Sequence, residues 1–161
     1  GALAATGEYI LMTDADLSTP IETLDRFLQE ITDTDIVVGS RSIQGAQVVR
    51  PQHPLKVTLG RLGNVMIRLL AVPNVHDTQN GFKLFRRETT LELFRMQRHN
   101  RWGFDFELLF LARKYKKKIK ELPVVWMNDD RSKVRSIDYI KTLFELVTLR
   151  MDDMQGKYQR T

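Results

Sequence analysis

Apolar and polar positions change period repeatedly along the chain, and each change marks an element. Tyr9 to Thr13 is a short apolar run of strand length, closed by acidic residues. After it, Thr19, Pro20 and Glu22 stand in the order of an N-cap, a first-turn proline and a capping-box acid. Ile21, Leu24, Phe27, Leu28 and Ile31 then recur at the spacing of one helical face. The run "DIVVGSR" predicts a second buried strand that opens into a loop. From Leu55 to Leu70, Leu55, Leu59, Leu62, Met66, Leu69 and Leu70 follow helical spacing, with Lys56, Arg61 and Arg68 between them. "GFKLFRRE" reads as a strand leading to a helix near Thr89 to Met96. "FDFELLFLARKYKK" reads as a helix, "KIKELPVVW" as a strand, and Ile137 to Met151 as a last amphipathic helix. Strands that alternate with helices predict an α/β fold with a mainly parallel sheet flanked by helices.

Length and composition narrow this little. The 161 residues, 42% hydrophobic and 28% charged, suit one soluble domain with a real core. With no cysteine there is neither a disulfide framework nor a thiolate metal site, and a reducing, cytoplasmic setting is expected. No apolar run approaches the roughly 18 residues that span a bilayer. A net charge of +5 points to anionic partners without choosing among nucleotides, lipid headgroups and nucleic acid. The opening "GALAATGEYI" reads as a helix tail, a glycine stop and a strand, a mid-pattern start expected of a piece of a longer protein.

The candidate chemistry begins with "YILMTDADLSTP". In open α/β sheets ligands gather beyond the carboxyl ends of strands, where Asp14 and Asp16 are expected. Their i, i+2 spacing on extended backbone sends both carboxylates to one side, and two such charges require a compensating cation or donor. Mg²⁺ or Mn²⁺ suits oxygen ligands and shares its shell with phosphates. The plainer alternative has one aspartate capping a turn and the other solvated.

"YILMTDADLSTP", then "IVVGSR", "DTQNGFKLFRRE", "WGFDFELLFLARK" and "ELPVVW" before "RSKVR", in this order over nearly the whole chain, resemble the family 2 glycosyltransferases. The similarity is greatest to those acting on dolichyl or polyprenyl phosphates. It implies a GT-A-like fold, with residues 1–161 a single, partial catalytic domain that lacks the upstream nucleotide-binding portion. It further implies a divalent metal, Mg²⁺ or Mn²⁺, on Asp14 and Asp16, and a nucleotide-diphosphate sugar donor (UDP- or GDP-hexose). The acceptor would be a lipid phosphate, met by a peripheral protein at the cytosolic face of a membrane, with no nucleic acid involved. Transfer would invert the anomeric centre. Ser18 either completes the metal shell or assists the helix cap.

A lipid monophosphate is already an anionic nucleophile and needs positioning cations more than a base. Arg41 in "GSR" and Arg131, Lys133 and Arg135 in the "RSKVR" loop could supply these, arginine through its planar fork and lysine as a point charge. The alternative is a solvated basic loop. Asp77 either orients the acceptor or a sugar hydroxyl, or makes an Asx-turn. Asp105 and Glu107 stand where relatives with hydroxyl acceptors keep a catalytic acid pair, and Asp105 is the candidate. At helical spacing the two cannot face the same way. His53, His76 and His99 lie in expected loops without metal spacing. The helix from Leu55 to Leu70 is either a core helix or one that lies in a membrane interface. Two other readings stand beside the transferase. "DADLS" also fits a haloacid-dehalogenase-like phosphatase with Asp14 as nucleophile, for which Asp129 and Asp130 would be the later acids. A catalytically inactive membrane-associated binding module is the other.

Overall fold

The computed structural model describes residues 1–50, 54–127 and 136–159. A 3₁₀ turn at Ala2–Ala4 leads into strand β1 (Tyr9–Met12). Helix α1 (Thr23–Glu30), strands β2 (Ile36–Ser40) and β3 (Gln47–Arg50) and helix α2 (Pro54–Leu70) follow. Then come β4 (Lys83–Arg86), α3 (Arg87–Met96), α4 (Phe104–Lys114), β5 (Ile119–Pro123), β6 (Val125–Met127) and α5 (Ser136–Met154).

The main sheet has the order β1-β4-β2-β5. Strands β1, β2 and β5 share one direction, as expected, and β4 runs against both its neighbours. The apolar run of β2 is explained by burial on both faces. Ile36 and Val38 point into a core with Ile10, Phe85, Leu93, Phe106 and Leu149, under α3, α4 and α5, while Val37 points into a second core with Phe27, Leu84 and Leu122, under α1. Because β4 alternates, Lys83 shares a face with Phe85 and aims its cationic end at α4. The register sets Lys83 opposite Met12 on one side and Val38 on the other. An antiparallel β4 therefore begins at the end of the sheet where β1 and β2 finish.

Two boundaries depart from the sequence reading, and one strand is absent from it. Helix α1 starts at Thr23 with Glu22 at its N-cap and no side-chain capping bond, so Thr19 is not the cap. The reason is local. Asp16 accepts a hydrogen bond from Ser18 N, Leu17 takes a left-handed φ of 52°, and Met127 N donates to Ser18 O, which ties this stretch to β6 before a helix can begin. Ile21 and Leu28 accordingly stay exposed while Phe27 and Ile31 are buried. "KIKELPVVW" divides at Val124 into β5 and β6, and β6 pairs in parallel with β3, a strand whose two valines gave no clear signal.

Candidate active site

The carboxyl ends of β1 and β2 and the start of β4 bring the charged residues together. Asp14 lies two residues beyond β1, with its carboxylate packed flat against Gly81. A Cβ added there would overlap the carboxylate carbon and both oxygens. Burial is the largest influence on Asp14 and raises its pKa above the ordinary value. Asp105 and then Asp16 raise it further, against Lys83 and Arg41. Among the described residues no hydrogen-bond donor reaches the Asp14 side chain. Asp16 keeps one oxygen on Ser18 N at 2.9 Å. Of the two plain roles for an aspartate, Asp16 takes the turn, while Asp14 is pressed into the site.

Arg41 follows β2 directly and is held by Asp77. Its Nε and Nη2 donate to the two oxygens of the Asp77 carboxylate at 2.7 and 2.9 Å, and its backbone N donates to the same group at 2.9 Å. The guanidinium also lies over the Trp126 ring, 5.2 Å from its centroid. Burial works against ionised Asp77, but Arg41 outweighs it and holds the carboxyl below its ordinary value. Among the described residues both oxygens of Asp77 are taken by Arg41 and no Asx-turn, the plainer of its two readings, is formed, so what Asp77 directs is Arg41. Arg41→Lys is expected to lose the fork and the ring contact, which costs about 2 kcal/mol of stability. Urea unfolding measures this, and an unchanged midpoint would show that the fork holds nothing.

Lys83 is fully buried and donates to Asn80 O and to Asp105 Oδ1. Burial, with a smaller push from Asp77, raises the Asp105 pKa above its ordinary value despite Lys83. Glu107 turns the opposite way, as helical spacing required. It is fully buried and accepts hydrogen bonds from Arg98 N, His99 N and Tyr158 Oη. Tyr139 of α5 lies near enough to Arg41 to be influenced by its charge. Asn80 accepts from Phe82 N at 2.8 Å, while its buried Nδ2 has no partner among the described residues.

Asp14, Asp16, Arg41, Asp77 and Asp105 therefore form one electrostatic cluster. Arg131, Lys133 and Arg135 lie outside the described residues, as do His53 and the acids Asp129 and Asp130. Gly81, Lys83, Asn80 and Trp126 were not singled out from the sequence. Lys83 did carry a signal, a lysine within an otherwise apolar strand. Among the described residues no three His, Asp or Glu side chains form a metal cage. Two carboxylates under mutual repulsion fit a cation that takes its remaining ligands from phosphate oxygens and water, the usual habit of Mg²⁺.

Residues 1–94 match the glycosyl transferase family 2 profile. The chain belongs to glycosyl transferase family 2. Among relatives of this family-2 chain, a dolichyl-phosphate beta-glucosyltransferase of Trichomonas vaginalis is 38% identical over 92% of the chain and 46% of its own length. One of Dictyostelium discoideum is 37% identical over 83% of the chain and 43% of its own length. One of Saccharomyces cerevisiae is 30% identical over 99% and 52%. The family-2 chain spans about half the length of these curated relatives. Family 2 membership confirms the resemblance drawn from the sequence blocks and sets aside the phosphatase alternative.

Proposed function

We propose that the protein containing these residues transfers glucose from a nucleotide-diphosphate donor to dolichyl phosphate, inverts the anomeric centre and depends on a divalent metal. The observation that carries this reading is the Asp14–Asp16 pair at the end of β1, with Asp14 seated on Gly81, its pKa raised, and the cations of Arg41 and Lys83 alongside. The relatives' shared name supplies the sugar, its β linkage and the lipid.

Asp14 and Asp16 hold the metal in this reading. Mg²⁺ or Mn²⁺ held by these two carboxylates would supply the positive charge that the donor's phosphates and the leaving diphosphate need. Arg41, fixed by Asp77 and Trp126, has Nη1 uncommitted among the described residues and turns it to the acceptor phosphate, joined by Arg131, Lys133 and Arg135. The acceptor is an anion already, so no strong base is required. Asp105, pinned by Lys83, sets the negative field at Asp14 and orients a donor hydroxyl. The protein works as a peripheral enzyme at the cytosolic face of a membrane, where its lipid acceptor is found.

The test uses the full-length protein with labelled UDP-glucose or GDP-glucose and dolichyl phosphate in detergent. The expected product is a lipid-linked β-glucosyl phosphate, and its formation stops in EDTA. Release of free glucose or inorganic phosphate alone would refute the proposal.

A further inference from the structure

The loop that delivers Asp77 to Arg41 is itself fastened by two other elements. Strand β5 supplies Glu121, whose side chain is only 10% exposed. Its Oε2 accepts from His76 N at 2.8 Å and lies 2.8 Å from His76 Nδ1, and its Oε1 accepts from Asp77 N at 3.0 Å. Helix α2 supplies Asn64. Its Oδ1 accepts from Thr78 N at 3.3 Å and from Thr78 Oγ1 at 2.9 Å, while its Nδ2 donates to His76 O. Two side chains, distant in sequence, thus hold the backbone of residues 76–78.

Backbone donors withdrawn from water must find acceptors, and a segment outside helix and sheet finds them on side chains. A carboxylate suits two successive N–H groups because it offers an oxygen to each. The strand register then closes a ring. Glu121 pairs with Val38 in the parallel β5–β2 ladder, three residues before Arg41. From Glu121 the path runs through its carboxylate to the Asp77 backbone, then through the Asp77 carboxylate to Nε and Nη2 of Arg41. It returns along β2. Asp77 by itself would tie Arg41 only to a loop. With Glu121 in place, Arg41 is tied to the sheet.

We propose that Glu121, assisted by Asn64, is a positioning residue for Arg41: it fixes residues 76–78 so that Asp77 presents its fork and Arg41 holds Nη1 at the acceptor phosphate. This deepens, and rests on, the reading of Arg41 as a cation for that phosphate. Glu121 acts through the Asp77 segment, so its loss should alter the guanidinium and, through it, the acceptor side of the reaction. Glu121→Gln keeps the size of the side chain but leaves one acceptor oxygen for two backbone donors. Asn64→Ala removes the second fastening.

Side-chain NMR of the full-length protein reads the fork without turnover. An arginine Nε–H held on a carboxylate exchanges slowly with water, and the Arg41 signal is assigned by its loss in Arg41→Lys. Arg87, whose Nε donates to Ala5 O at 2.8 Å, serves as the control. Glu121→Gln should shift the Arg41 signal and speed its exchange several-fold while Arg87 stays as it was. Asn64→Ala should do the same to a smaller degree, and it decides the matter if Glu121→Gln does not fold. In transfer assays with dolichyl phosphate and labelled UDP-glucose or GDP-glucose, Glu121→Gln should raise the acceptor KM about tenfold and the donor KM less than about twofold. Added to Asp77→Asn, it should cost little more, since both act through Arg41. An Arg41 signal that stays unchanged, or that shifts together with Arg87, overturns the proposal. Equal rises in the two KM values do so as well. If the Arg41 signal responds as expected but the wild type forms no lipid product, the functional reading alone is refuted. Lipid product with an unresponsive Arg41 signal would refute this inference alone.

Discussion

Asp14→Asn and Asp16→Asn should each reduce sugar transfer roughly a thousandfold and leave the fold intact, because each removes a metal-binding charge with almost no change in volume. The metal-free stability separates this from simple damage. The folded-state pKa of Asp14 is raised by burial and by Asp105 and Asp16. A carboxyl raised in this way contributes its full stability below its unfolded value, and that contribution is lost as pH rises through the folded value. Near pH 7 the raised pKa of Asp14 is therefore a cost in EDTA, and Asp14→Asn removes it. The variant should melt above the wild type at about pH 7, and the gap should close as pH falls towards about 4. Full activity at limiting Mg²⁺ in both variants, or a lower Tm for Asp14→Asn in EDTA, would contradict the role given to the pair.

Gly81→Ala should lower transfer by on the order of a hundredfold, although residue 81 holds no charge and makes no hydrogen bond from a side chain. Its methyl group would occupy the space of the Asp14 carboxylate, so Asp14 must move, and displacement of about 1 Å at a reacting centre has a cost of that size. Gly81 is not among the residues at positive φ, so the effect is one of space and not of backbone conformation. A double variant distinguishes the two. With Asp14→Asn already present, Gly81→Ala should add little further loss, since both act on the same ligand. Two losses that multiply independently would show that Gly81 serves something other than Asp14.

Much of this architecture could be read from the chain. The "IVV" run gave β2 because burial on both faces demands unbroken apolar residues, and α2, α4 and α5 announced themselves through helical spacing. The carboxylates at the end of β1 were visible for a similarly local reason. The direction of β4 was not visible, because four residues, "KLFR", fit either orientation, and only the pairing with β1 and β2 decides between them. The start of α1 was misplaced because Ser18 is held by β6, far along the sequence. The site divides in the same way. Asp14, Asp16, Arg41, Asp77 and Asp105 stood out by residue type, but the fork between Arg41 and Asp77 spans 36 residues, and the seat Gly81 provides for Asp14 is equally non-local. Sequence spacing shows which groups are present, while tertiary contact decides which of them answers which.

The carboxylate pair and its metal can be measured without turnover. Electron paramagnetic resonance of Mn²⁺ titrated into the full-length protein with a nucleoside diphosphate present reports the ion that remains free. Wild-type protein should take up Mn²⁺, while Asp14→Asn and Asp16→Asn should leave the free signal close to that of buffer at the same concentrations, with Gly81→Ala in between. Equal uptake by the wild type and both aspartate variants would contradict a metal held by Asp14 and Asp16.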